Sequence, residues 1–121
     1  FDESEESPGT KGLGIFSGTV KKFQLSKQLK VPQIGWNKLF IKNESCPMFK
    51  NINDEDYFYL VHSYYVHSDD KDIIAGETDY GIKYCSCVWK ENIFATQFHP
   101  EKSQKVGLIM LKNFCDWSNT F

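Results

Sequence analysis

The apolar positions divide the chain into short extended runs followed by one helical stripe. Gly18–Phe23, with Val20 and Phe23 apolar, predicts a strand. Gln33–Ile41 predicts a second, with bulk from Ile34, Trp36, Leu39, Phe40 and Ile41. Tyr57–Val66 is the densest run of aromatic and β-branched residues and predicts one continuous strand. Ile73–Thr78 and Tyr84–Trp89 predict two more, and Ile93–Phe98 reads as a buried strand that Pro100 terminates. Breakers fall between them: Pro8-Gly9-Thr10 with Gly12 and Gly14, the turns His67–Asp72 and Asp79-Tyr80-Gly81, and a hairpin connection at Lys90-Glu91-Asn92. Residues 24–30 and 42–56 read as loops. After Ser103 the period changes. Val106, Ile109, Met110, Phe114 and Trp117 share one helical face, widened by Leu108, Leu111 and Cys115. Ser103 is placed to cap this helix, and Gly107 to let it approach the sheet closely. The acidic opening, Phe1–Ser7, has the composition of the last turns of a helix. Meandering strands with one helix read as α+β, and an α/β protein taken part-way through gives the same pattern.

Composition changes this picture little. The 121 residues suffice for one core, and the 16% aromatic content predicts a core rich in rings. A formal charge of −2 without a basic stripe argues against nucleic acid as the main partner. No apolar run approaches the roughly 20 residues of a membrane span. Without a secretion signal, Cys46, Cys85, Cys87 and Cys115 are expected to be reduced thiols in a cytoplasmic protein. Cys85 and Cys87 form a C-x-C pair without a matching second pair, and read as buried small hydrophobes.

The candidate chemistry gathers at Gln97–Ser103. His99 follows the last strand and precedes the helix, the edge where open α/β sheets carry ligands. Glu101, two residues on, can orient the imidazole and stabilise its charged form. What is missing is a nucleophile. Ser63 lacks a G-x-S-x-G elbow. Among the cysteines, only Cys46, in a loop before Pro47, reads as accessible. His62, His67 and the cysteines have no metal-ligand spacing. Trp36 and Lys102 read as surface contacts or packing, with a buried ring the default for Trp36.

Four pieces then point to a family. Gln97-Phe98-His99-Pro100-Glu101-Lys102-Ser103 resembles the His/Glu motif of class I glutamine amidotransferases. Phe1–Glu6 with Thr10–Gly14, Pro32-Gln33-Ile34-Gly35-Trp36-Asn37, and Tyr59-Leu60-Val61-His62-Ser63-Tyr64 narrow the resemblance to the glutaminase subunits of imidazole glycerol phosphate synthases. It runs from Phe1 to about Trp117. The resemblance implies an α/β, flavodoxin-like three-layer fold, with residues 1–121 the C-terminal portion of a single amidotransferase domain. It implies L-glutamine as substrate, no cofactor, and a (β/α)-barrel synthase subunit as the partner that receives ammonia. It implies that His99 and Glu101 are catalytic, that Glu6 binds the glutamine α-amino group, and that Ser63 and Tyr64 hold its carboxylate end. It implies that Pro32, Trp36, Tyr59 and Lys102 face the barrel. In that family a Gly-x-Cys-x-Gly elbow and its helix precede the acidic stretch, so the nucleophile is expected ahead of Phe1. Gln33 stands where typical members carry histidine, which leaves a related pathway acting on surface-sugar precursors open. A non-catalytic module docking on a barrel is the other alternative.

Overall fold

A computed structural model describes residues 1–25 and 29–121; part of the loop expected at 24–30 lies outside them. In chain order the strands are β1 (Glu3–Ser4), β2 (Gly18–Lys22), β3 (Gln33–Lys38), β4 (Phe40–Ile41), β5 (Tyr57–His62), β6 (Tyr64–Ser68), β7 (Ile74–Asp79), β8 (Lys83–Lys90) and β9 (Ile93–Thr96). One helix, α1 (Gln104–Ser118), ends the chain, and 3₁₀ turns lie at Pro47–Phe49, Lys71–Ile73 and Pro100–Lys102. The main sheet runs β1-β2-β6-β8-β7-β4, with β9 paired to β8, and β3 and β5 form a separate antiparallel ribbon.

Several expected elements are redrawn. The acidic opening is not helical. Glu3 and Ser4 pair in parallel with Thr19 and Val20, and Asp2 Oδ2 and Glu5 Oε1 accept the backbone N–H groups of Gly18 and Lys22 at 3.0 and 2.7 Å. These long-range bonds outweigh a helix-like composition that carries no apolar stripe. The run Tyr57–Val66 breaks at Ser63, so that β5 joins the ribbon and β6 the main sheet. At the break the Ser63 carbonyl accepts the Phe23 N–H at 3.0 Å. The run Gln33–Ile41 likewise divides at Leu39, which is fully buried and pins the corner. Ile93–Phe98 is not a buried strand: β9 ends at Thr96, Ile93 is exposed, and Phe98, beyond the strand, is the residue that enters the core. Glu91, at φ 53°, makes the tight β8–β9 turn.

The principal core lies between the ribbon, the sheet and α1. Leu39, Met48, Phe58, Leu60, Ala75 and Met110 are at most 2% exposed there, and the Phe58 and Phe98 rings lie 4.3 Å apart between centroids. The helix buries Gly107, Met110 and Asn113, a narrower face than its apolar pattern predicts, and Leu108, Leu111 and Phe114 are exposed. Asn113 closes the packing by donating to the carbonyls of Met48 and Lys50 at 2.8 and 2.7 Å. Gly107 makes a close approach, but to the Pro100–Lys102 turn rather than to the sheet. A Cβ there would run into the Pro100 carbonyl oxygen and lie 3.0 Å from Ser103 Cβ. Ser103 precedes α1 without a side-chain capping bond.

Candidate functional site

His99 sits where the chain leaves the core at Phe98 and turns into α1. Pro100 supplies the fixed φ and missing donor that suit the first position of the Pro100–Lys102 turn. Tyr59 of β5 accepts the His99 N–H at 3.0 Å, and the Lys102 N–H closes back on the His99 carbonyl at 3.0 Å. Glu101 comes round within that single turn, and its Oε1 lies 2.7 Å from His99 Nδ1. With the carboxylate as acceptor, Nδ1 carries the proton of the neutral ring. Nε2 is then the nitrogen left to exchange a proton. The imidazole is half-buried, with 38% of the side chain exposed. Glu101's own backbone amide, and then the His99 ring, hold its carboxyl below the usual carboxylate range, so it is ionised at neutral pH.

Behind this pair lies a buried polar cluster that joins the ribbon to the sheet. Gln33 is fully buried and Tyr84 is 2% exposed. The Tyr84 hydroxyl donates to Gln33 Oε1 at 2.8 Å, and His62 Nε2 lies 2.8 Å from that oxygen and 3.0 Å from the hydroxyl. Gln33 Nε2 donates to Asn37 Oδ1 at 2.8 Å. His62 Nδ1 donates to the Tyr64 carbonyl at 2.7 Å, bridging the break at Ser63. Burial pushes the His62 pKa down, the Tyr64 contact opposes this, and the nearby His99 charge lowers it further. Glutamine at position 33 is thus an internal hydrogen-bonding residue, engaged through both its amide oxygen and its amide nitrogen.

The expected site residues fall into three groups. His99 and Glu101 meet directly. Glu6, Ser63 and Tyr64 come to one end of the main sheet: β1 runs parallel to β2, β2 ends at Lys22, and Lys22 pairs with Tyr64. Ser63 and Tyr64 are half-buried and Glu6 is exposed. Of the third group, Trp36 and Tyr59 lie on the outer face of the ribbon. Trp36 is 43% exposed, correcting the expectation of a buried ring, and packs edge-on against its cross-strand partner Tyr59 at 6.0 Å. Ile34, Val61 and Tyr57 extend this face, and Pro32 and Lys102 are exposed.

The cysteines are free thiols, and one expectation about them is corrected. Cys46 is buried, because the Pro47–Phe49 turn folds beneath α1, and burial pushes its pKa up to about 11. Cys85, beside the Glu77 charge, is pushed up to about 12 chiefly by burial, and Cys87 well above its ordinary value for the same reason. Cys115 is the exposed one. It lies eleven residues into α1, about 16 Å along the axis from its first residue. Among the described residues no group of three or more His, Cys, Asp or Glu gathers to hold a metal ion, and no helix is long and apolar enough to cross a membrane. Sequence reasoning singled out neither Tyr84 nor the part Ser103 plays beside Tyr59. Only the alternation along β8 hinted that Tyr84 points inward.

An imidazole with one nitrogen held by a carboxylate and the other open is the arrangement that nucleophile-based hydrolases use for their general base. The chain belongs to the class-I glutamine amidotransferase family, which it matches over residues 11–117. The sheet and its terminal helix are the corresponding part of that family's α/β fold. Among its relatives, imidazole glycerol phosphate synthase subunit HisH of Acinetobacter baylyi is 49% identical over 118 residues, covering 98% of this chain and 58% of the relative. The same subunit of Pyrococcus furiosus is 54% identical over 115 residues (94% and 57%), and that of Methanocaldococcus jannaschii 50% over 116 (96% and 57%). The chain therefore spans less than two-thirds of the length of these relatives.

Proposed function

We propose that these residues carry the histidine–carboxylate half of a glutaminase site, in a subunit that supplies ammonia for imidazole glycerol phosphate synthesis in histidine biosynthesis. The observation that carries the reading is the 2.7 Å His99–Glu101 pair with Nε2 left open, in a chain so similar to HisH subunits. In this reading a cysteine thiol from a segment outside these residues gives its proton to His99 Nε2. The thiolate adds to the glutamine side-chain carbonyl carbon. As the C–N bond breaks, the imidazolium returns the proton to the departing ammonia, leaving a thioester on the enzyme. Water attacks the thioester with His99 again accepting a proton; as the C–S bond breaks the imidazolium returns that proton to the departing cysteine sulfur, and glutamate leaves. Glu101 keeps the ring in the tautomer this requires and stabilises its charged form.

Glu6 binds the glutamine α-amino group, and Ser63 and Tyr64 hold its carboxylate end. The meeting of these segments at one end of the sheet supports this assignment. Pro32, Trp36, Tyr59 and Lys102 face a (β/α)-barrel synthase subunit that receives the ammonia, a role supported by the apolar outer face of the ribbon. The protein acts in the cytoplasm as a heterodimer, and residues 1–121 are one part of a single amidotransferase domain, inactive alone for want of a nucleophilic thiol beside His99. The raised pKa values of the three buried cysteines support that last point.

The test is His99→Ala in the full-length subunit assembled with its barrel partner. Glutamine-dependent synthesis is expected to disappear while synthesis from added ammonia persists. Equal loss of both, or survival of both, overturns the assignment. Glutamate release by residues 1–121 alone that His99→Ala abolishes would overturn a separate expectation, that these residues are inactive by themselves.

A further inference from the structure

Ser103 stands where its sequence position calls for a helix cap, yet its hydroxyl makes no capping bond. It is spent elsewhere. Oγ donates to the His99 carbonyl at 2.6 Å and accepts the Tyr59 N–H at 3.0 Å, and the residue is 1% exposed. The Tyr59 carbonyl accepts the His99 N–H at 3.0 Å. Both main-chain polar groups of His99 are therefore tied to the same residue of β5, one directly and the other through the Ser103 hydroxyl. From the other side, Gly107 lets the first turns of α1 close against Pro100, so the loop is held between strand and helix.

We infer that Ser103 is a positioning residue for His99. This rests on the glutaminase reading given above. A histidine side chain has only two torsions. Once its N–H and C=O are fixed, the direction of its Cα–Cβ bond is fixed, and the Glu101 contact then sets the ring. The hydroxyl suits this place because one small group must donate and accept at once between two part-buried main-chain atoms. Alanine fills the space but leaves the Tyr59 N–H without its partner and frees the His99 carbonyl on that side. The imidazole then swings relative to the thiol it serves. Such a displacement acts on the chemical step rather than on glutamine binding.

The test uses the full-length subunit in complex with its barrel partner and compares Ser103→Ala, Ser103→Cys and Thr78→Val. Thr78→Val removes the buried Thr78–Ser86 hydroxyl bond of 2.9 Å, in β7 and β8, and serves as a control that loses a buried hydroxyl without touching the bonds to His99 and Tyr59. Ser103→Ala is expected to lower the glutaminase kcat roughly 10- to 100-fold with KM for glutamine unchanged. Ammonia-dependent synthesis stays at the wild-type rate, and the downfield NMR signal of the His99 Nδ1 proton is lost. Ser103→Cys, whose thiol is a weaker donor and acceptor, falls between alanine and wild type. Thr78→Val lowers the melting temperature and leaves kcat intact. A wild-type kcat in Ser103→Ala, or an equal fall in Thr78→Val, overturns the inference. If Ser103→Ala does not fold, Ser103→Cys decides: a wild-type kcat there overturns the inference, and a reduced kcat with KM unchanged supports it. Full activity in His99→Ala would instead defeat the glutaminase reading itself.

Discussion

Gly107→Ala sets two effects of opposite sign against each other. Gly107 is the fourth residue of α1, with an ordinary helical backbone, so alanine should stabilise the helix by about 0.8–1.0 kcal/mol. Against this, the new Cβ would run into the Pro100 carbonyl oxygen and lie 2.8 Å from its carbon and 3.0 Å from Ser103 Cβ. Two of these three neighbours are backbone atoms, so no rotamer change relieves the clash. Either α1 or the Pro100–Lys102 turn must move. Overpacking of this kind costs about 1–3 kcal/mol, and a backbone collision belongs at the upper end. The net expectation is a loss of about 2 kcal/mol. For a folding unit of 121 residues that is a fall of roughly 8 °C in Tm, read by thermal unfolding with a urea titration alongside. Because Pro100 follows His99 directly, a shift of about an ångström should also lower glutaminase kcat, by as much as about 100-fold in the full-length complex. A variant more stable by about 1 kcal/mol, as helix propensity alone demands, would refute the close approach.

Three further outcomes are expected. Phe58→Ala removes a fully buried ring packed at a tilt against Phe98 and should cost about 3–5 kcal/mol in urea unfolding; a loss below about 1 kcal/mol would contradict the packing. His62 has a folded pKa below 6.5, so the unfolded chain binds its proton first: the stability it contributes is present above about pH 6.5 and drains away as the pH falls through the folded value. Urea midpoints between pH 7.5 and 5.5 should therefore drop more in wild type than in His62→Gln, and parallel slopes would remove His62 as the cause. A thiol reagent at neutral pH should modify Cys115 in the native protein and reach Cys46, Cys85 and Cys87 only on unfolding, as mass spectrometry of timed samples will show; early labelling of Cys46 would contradict its burial.

What the sequence disclosed follows the range of the interactions involved. His99 and Glu101 are two residues apart, and one turn of chain brings them together, so spacing sufficed. The strands β2, β7 and β8 and the helix were legible because period and punctuation agreed. The break at Ser63 was not, because aromatic and β-branched residues continue on both sides of it. What separates the strands is a long-range bond from Phe23 and a change of sheet. The Gln33–His62–Tyr84 cluster joins residues from β3, β5 and β8, and no local pattern announces such a meeting. The acidic opening misled through composition, which says nothing about the parallel pairing with β2. Trp36 and Cys46 each defied a default, because burial depends on what packs over a residue. Among the described residues only Tyr59 packs edge-on against Trp36 on the outer face of β3, whereas α1 covers the turn at Cys46.

The β3–β5 ribbon separates two kinds of constraint by parity alone. Along it, Gln33, Phe58, Leu60 and His62 point inward and are buried, while Ile34, Trp36, Tyr59 and Val61 alternate with them and point outward. Substitutions at the inner positions are judged by the core. Those at the outer positions are judged by whatever surface they meet. A lineage can therefore redraw its binding face by changing every second residue without disturbing the packing beneath. An insertion of a single residue would exchange the two sets and forfeit both.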